Sequence, residues 1–261
     1  MKFFVCIKQV PDVYAPLQIR DGEIHQDSDR QVLNAYDASA VEEALVLTEK
    51  HGGRVDVILA GPEKAHETIR KALAMGAEEG IHLQTESTSG QDSASYAHLL
   101  ATFVKEKEFD VLSFGKQAQD TDSGLTGAMV AQLLDLPYTT NAVGLAIEGD
   151  HLIVTRQGDI GQEIIALPTP CVVTCSNDMN DPRIPTLKGI MGSKRKPVEV
   201  VQASSLHGTS LASGFTGEAL THTTSFESMP ARKAGEKLQG EADEIARQVA
   251  KILSEKTGVF S

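Results

Sequence analysis

The stretch Phe109-Asp110-Val111-Leu112-Ser113-Phe114-Gly115-Lys116-Gln117-Ala118-Gln119-Asp120-Thr121-Asp122-Ser123 decides the fold. Its first six residues read as a short buried strand, and a polar loop opening on glycine follows. The chain then re-enters as a helix over residues 123–134. Strand, loop and helix in this order form half of a βαβ unit. The same alternation runs back to the N-terminus. Residues 3–7, 54–60 and 80–83 have the composition of strands. Residues 37–50, 62–76 and 93–106 read as helices. In the first of these, Val41, Ala44, Leu45 and Thr48 recur at helical spacing, Asp37 stands where a cap would, Glu42 and Glu43 follow in the first turn, and Gly52-Gly53 stops the run. Pro62 suits the first turn of the second.

Strands separated by helices of this length pair in parallel through right-handed crossovers. The expectation is an α/β fold: an open, mostly parallel, doubly wound sheet. Such a sheet takes ligands outside the carboxyl ends of its strands. Three segments follow strand ends, namely Lys8-Gln9-Val10-Pro11-Asp12, Ala60-Gly61-Pro62 and the loop from Gly115 to Ser123. They should converge on one crevice, and a nucleotide is the ligand class that such a crevice takes.

Beyond Pro137 the texture changes. Residues 142–147 and 152–156 read as a β-hairpin, with further strands at 163–167 and 171–175. Residues 204–231 are rich in Ser, Thr and Gly and read as an extended arm. Residues 240–256 form a last helix, with Ile245, Val249 and Ile252 near one face. An arm and a lone amphipathic helix bury little by themselves, so the expected division is a nucleotide-binding domain at 1–203 and an arm plus helix at 204–261 that packs on a partner subunit.

Composition narrows the function classes. The 261 residues are 41% hydrophobic and 23% charged, an ordinary globular balance. No window reaches the ~18 apolar residues of a membrane span. The first residues match neither a signal peptide nor a transit segment, so a cytoplasmic protein is expected. A net charge of −12 argues against nucleic-acid binding. Cys6, Cys171 and Cys175 lie in apolar, strand-like runs and read as buried free thiols, without the spacing of a zinc or iron–sulfur site. One segment runs against the overall charge: residues 183–197 hold Arg183, Lys188, Lys194, Arg195 and Lys196 and no acid. Such a segment is either a solvated loop or a docking patch.

The two common phosphate-loop signatures, Gly-x-Gly-x-x-Gly after the first strand and Walker A, are absent. The 115–123 loop still offers what a phosphate needs. It leads into a helix N-terminus, Ser123 and Thr126 supply hydroxyls, and Gly124 and Gly127 permit close approach. An ordinary capped helix accounts for the same features. Asp120 and Asp122 suit caps, or partners for ribose or backbone groups, better than neighbours of a phosphate. No Ser/His/Asp or Cys/His arrangement stands out among the eight histidines. His66, His82 and His98 read as surface or packing residues. Chemistry supplied by a bound cofactor fits better than catalysis by side chains.

Six stretches carry a resemblance. These are Lys8-Gln9-Val10-Pro11-Asp12, Asn34-Ala35-Tyr36-Asp37, Ala40-Val41-Glu42-Glu43-Ala44-Leu45, Glu67-Thr68-Ile69-Arg70-Lys71-Ala72-Leu73-Ala74-Met75-Gly76-Ala77, Gly115-Lys116-Gln117-Ala118 and Asn180-Asp181-Pro182-Arg183-Ile184-Pro185-Thr186-Leu187. In this order they resemble the electron transfer flavoprotein beta subunit family. The resemblance implies a heterodimer with an alpha subunit that holds most of a redox-active FAD. It implies an adenine nucleotide in this subunit: AMP in many members, a second FAD that accepts hydride from NADH in electron-bifurcating ones. Carried over by position, that nucleotide touches Cys6, Lys8, Asn34, Ala60, Asp120, Thr121, Asp122, Ser123, Gly124, Leu125 and Thr126, and Tyr36 lies near the alpha-bound flavin. The loop departs from both family patterns: Thr126-Gly127 is AMP-like, the small residues at 121 and 124 lean toward FAD, and Leu125 replaces a polar residue. Leu187 matches the apolar anchor of a recognition loop, with Ile190 and Met191 beside it, for a flavin dehydrogenase such as an acyl-CoA dehydrogenase. The expected protein is an electron carrier subunit, not a stand-alone catalyst. The rival from another class is a stand-alone ATP-binding sensor or hydrolase of similar fold.

Overall fold

The computed structural model describes residues 1–26, 30–86, 90–206, 218–230, 234–235 and 237–256. In chain order the described elements are β1 (Lys2–Ile7), β2 (Gln9–Pro11), β3 (Leu17–Arg20), β4 (Glu23–Gln26), β5 (Gln31–Leu33), α1 (Ala35–His51), β6 (Arg54–Gly61), α2 (His66–Met75), β7 (Glu79–Gln84), α3 (Ser93–Val104), β8 (Val111–Gly115), α4 (Thr126–Leu134), β9 (Tyr138–Glu148), β10 (His151–Gln157), β11 (Gln162–Pro168), β12 (Cys171–Cys175), α5 (Leu187–Ser193), β13 (Val198–Gln202) and α6 (Ala242–Lys256).

Nine strands form one sheet in the order β11-β10-β9-β12-β8-β1-β6-β7-β13. Six of its pairings are parallel, and only β10 pairs antiparallel, with β9 and β11. The period of two along a strand explains how both faces are covered. In β1, Phe3, Val5 and Ile7 pack with Val41, Leu45, Ile69 and Leu73 of α1 and α2. Phe4 and Cys6, pointing the other way, pack with Leu100 and Val104 of α3 and Val130 of α4. Two hydrophobic cores therefore sandwich the sheet, which is the doubly wound arrangement. All three cysteines are buried free thiols.

The order of the strands locates the crevice. From β1 the chain moves through β6 to β7 on one side, then returns to place β8 on the other. The winding reverses between β1 and β8, and ligands in open parallel sheets bind outside the carboxyl ends of the strands at such a switch point.

Several boundaries differ from the sequence expectation. The helix expected from residue 123 begins at Thr126, because the preceding loop folds back on itself: Asp122 adopts φ +52, its N–H donates to the Ala118 carbonyl at 2.8 Å, and the Ala118 N–H donates to the Ser123 carbonyl at 3.0 Å. The basic stretch 183–197, read as a loop, contains the short helix α5; its two internal glycines hide it from a propensity reading. The hairpin β3–β4 turns on Asp21-Gly22, both with positive φ. The chain divides into two compact units, Met1–Phe226 and Glu227–Ser261. Residues 207–217, 231–233 and 236 of the expected arm lie outside the described residues. Of its described part, residues 204–206 belong to a 3-10 turn over Ala203–Leu206, and residues 218–230 have no helix or strand. No described helix is long and apolar enough to cross a membrane.

Candidate functional site

A cleft opens at the switch point. It is lined from β1 by Cys6 and Ile7, then Lys8, from β6 by Ala60, from β8 by Phe114 and Gly115, and from α4 by Thr126 and Gly127. Its free space, solvent mouth included, is about 790 Å³. Beneath it stands Asp37 in the first turn of α1. One carboxylate oxygen accepts the Lys8 N–H at 2.7 Å and the other accepts the Gly115 N–H at 3.0 Å. The side chain thus ties the ends of β1 and β8 together across the point where they diverge. A Cβ at position 115 would overlap this carboxylate, which explains the glycine. Burial raises the carboxyl of Asp37 to about 7, against the two backbone N–H groups, Asn34 and Lys8, which pull it down. The Cys6 thiol is pushed up by burial and then by Asp37.

Asn34 stitches the 115–123 loop in place. Its amide nitrogen donates to the Gln117 carbonyl at 2.9 Å and its oxygen accepts the Gln119 N–H at 3.1 Å. Gln119 answers by accepting the Ala35 N–H at 3.0 Å. The loop's acids are turned to protein partners. Asp120 pairs with the Lys8 ammonium at 2.8 Å, and Asp122 accepts from the Gln117 amide at 2.9 Å. No side chain caps α4, whose N-cap position is Leu125. Its first-turn N–H groups are thus left without a side-chain acceptor, and Thr126 and Gly127 of that turn line the cleft. A Cβ at 127 would stand 2.7 Å from the Thr174 methyl, so glycine lets the helix end approach β12.

Of the eleven residues assigned to a nucleotide, the cleft brings together Cys6, Lys8, Asn34, Ala60, Thr121, Ser123, Gly124 and Thr126. Asp120 borders it through Lys8, whereas Asp122 and Leu125 do not line it, and Leu125 is exposed. The sequence reading missed an entire wall: Gln91, Asp92 and Ser93 at the start of α3, then Tyr96 and Leu100 one face further along. The spacing of Asp92, Tyr96 and Leu100 by four could have signalled a common helix face. Burial, then the charge of Asp120, lifts the Tyr96 phenol to about 12. Asp37 and Lys116 were likewise not assigned. Tyr36 is half-buried with its Cβ beside Gly115, outside the cleft lining.

The basic segment stands away from the cleft. Arg183 is bound to Glu42 and Glu49 of α1, first Glu49 and then Glu42 holding its guanidinium well above the usual range. Lys196 donates to the carbonyls of Leu73, Gly76 and Ala77 at the end of α2. Arg70 of α2 reciprocates onto the carbonyls of Ser193 and Lys196. This crossed clamp fixes α5, whose Thr186 cap accepts the Gly189 N–H at 3.1 Å. Leu187 is 75% exposed, with Ile190 and Met191 exposed beside it. Lys188, Lys194 and Arg195, exposed in the same segment, make no side-chain bond among the described residues.

A family model described as the electron transfer flavoprotein domain matches residues 22–206. The chain is 33% identical to an electron transfer flavoprotein subunit beta of Bacillus subtilis over the full length of both. It is 35% identical to the mouse protein of the same name, covering 95% of this chain and 96% of the other. It is also 34% identical to a caffeyl-CoA reductase–Etf complex subunit of Acetobacterium woodii, covering 98% and 99%.

Proposed function

Because the chain belongs to the electron transfer flavoprotein family as a beta subunit, we propose that it works in a heterodimer with an alpha subunit and holds AMP in the switch-point cleft. The observation that carries this reading is the cleft itself. Its floor and one wall are apolar, from Cys6, Ala60, Leu100, Phe114 and the Tyr96 ring, and suit a flat base. Its other end is the uncapped start of α4, with Ser123, Thr126, Lys8 and Lys116 nearby, and suits a phosphate. The Lys8–Asp120 pair joins the residue after β1 to the loop after β8. We infer that this pair stands as a stop beyond one phosphate group, which favours the mononucleotide.

The redox chemistry is that of FAD, chiefly alpha-bound, and this chain supplies position and docking. Tyr36, on the α1 turn pinned by Asp37, approaches that flavin. The α5 knob docks a dehydrogenase, with Leu187, Ile190 and Met191 entering an apolar pocket and the cations of the same segment speeding encounter with an acidic surface. The likeness to a subunit of a reductase–Etf complex favours one second reading, in which the cleft holds FAD and receives hydride from NADH. Denaturing the purified heterodimer and counting released nucleotides separates the two. The expected result is one FAD and one AMP. Two FAD without AMP establishes the second reading. A colourless monomer that hydrolyses ATP overturns both.

A further inference from the structure

Among the described residues, Asp92 is the one residue of the cleft wall with a hydrogen bond to the distant arm. Its Oδ1 accepts the N–H groups of Ala94 and Ser95, both at 3.0 Å, and so caps α3. Its Oδ2 accepts the N–H of Leu220 at 2.8 Å, the N–H of Thr221 at 2.9 Å and the Thr221 hydroxyl at 3.0 Å. These last three donors come from 128 or 129 residues downstream. Nearby, the Phe226 N–H donates to the Gly22 carbonyl at 2.9 Å, so the segment from Leu220 to Phe226 is fastened at both ends. Leu220 and Thr221 are otherwise exposed and have no helix or strand to hold them. Burial draws the Asp92 carboxyl upward, but the bonds from Ser95, Leu220 and Thr221 together outweigh it and leave it at about 2. The carboxylate therefore stays ionised, and able to accept all five bonds, across the working pH range.

We propose that Asp92 is a positioning residue that latches the arm to the α3 wall of the nucleotide cleft, so that nucleotide release requires the latch to open. The inference rests on the reading of this cleft as an adenine-nucleotide site. The wall it concerns, Gln91, Ser93 and Tyr96, is the side of the cleft that no strand end supplies. Fastening the arm there holds the wall closed. The latched wall also binds the nucleotide more tightly than the open one, so by linkage a bound nucleotide in turn holds the arm.

The two oxygens of Asp92 do different work, and this gives a selective test. Asp92→Asn keeps an oxygen for the cap, where Asn and Asp serve equally, and turns the latch acceptor into a donor facing donors. Thr221→Pro removes two of the three latch donors and leaves Asp92 intact. In the purified heterodimer, release of the bound nucleotide is followed after a chase with excess AMP. Each variant is expected to release about tenfold faster while the heterodimer stays folded and associated, and the double variant no faster than either alone, because both break one interaction. In the wild type, stripping the nucleotide should speed proteolytic cleavage between residues 218 and 226; in Asp92→Asn that cleavage should already be fast and insensitive to AMP. Wild-type release rates in both single variants, or effects that simply add, overturn the latch. Nucleotide content reports separately on the site: a wild-type heterodimer that carries no nucleotide overturns the cleft reading, and the latch with it.

Discussion

Asp37 sits under the cleft with each carboxylate oxygen on a different strand end, Lys8 of β1 and Gly115 of β8. Few single side chains could fix the width of the switch-point crevice so directly. Its cost is electrostatic: burial lifts the carboxyl from 3.8 to about 7. A carboxyl whose folded pKa is raised contributes stability that is complete below its unfolded value and is lost as pH rises through the folded one. Asp37 should therefore make the protein progressively less stable from about pH 4 to about pH 7. Asp37→Asn removes this dependence and one acceptor. Melting curves of wild type and variant between pH 5 and 8 should show the variant gaining relative to wild type as pH rises, by on the order of 2 kcal/mol. A difference that stays constant across this range would refute the assignment. The sequence placed Asp37 at the start of a helix and suggested a cap. Periodicity locates a residue on its own helix; it carries no information on a carboxylate that reaches an N–H 78 positions away. Asn34 and Asp92 were opaque for the same reason, since their partners lie 83 to 129 residues downstream.

At the scale of elements, the strands and helices that build the crevice were legible because each carries a local pattern. The apolar run of β1 and the spaced apolar residues of α1 are each complete within one short window. What the patterns could not give is the path of the 115–125 loop and the helix α5, both set by contacts made elsewhere. The α5 knob is rigid because Arg70 and Lys196 each bind carbonyls of the other's element. Its apolar tip does nothing for the fold that holds it, so tip and clamp should respond differently to substitution. Leu187→Ala should leave the melting temperature and flavin content unchanged and weaken electron exchange with the partner dehydrogenase about tenfold. Lys196→Met, which leaves three carbonyls at the end of α2 without their donor, should lower stability by about 1–2 kcal/mol. Unaltered exchange in Leu187→Ala removes the docking role. Unaltered stability in Lys196→Met removes the clamp.

At the scale of the molecule, the first unit, Met1–Phe226, owns both cores, the sheet and the cleft. The second, Glu227–Ser261, has one helix among its described residues, of 15 residues, near the length at which an isolated helix is marginal in water. Ile245, Val249 and Ile252 recur along α6 at i, i+4 and i+7, and Val249 remains 40% exposed. A charged helix keeps such a stripe when another surface covers it. On the proposed assembly that surface belongs to the alpha subunit, and burying three branched apolar side chains against it would stabilise the heterodimer by roughly 3 kcal/mol or more. The consequence is separable from the latch, because Asp92 binds Leu220 and Thr221, upstream of the boundary. Ending the chain after Phe226 should leave the melting temperature of the first unit within a few degrees of wild type and weaken association with alpha about a hundredfold. Co-purification of the two subunits at decreasing concentration measures this. A truncated chain that retains alpha at full yield would mean that the second unit serves something other than the heterodimer.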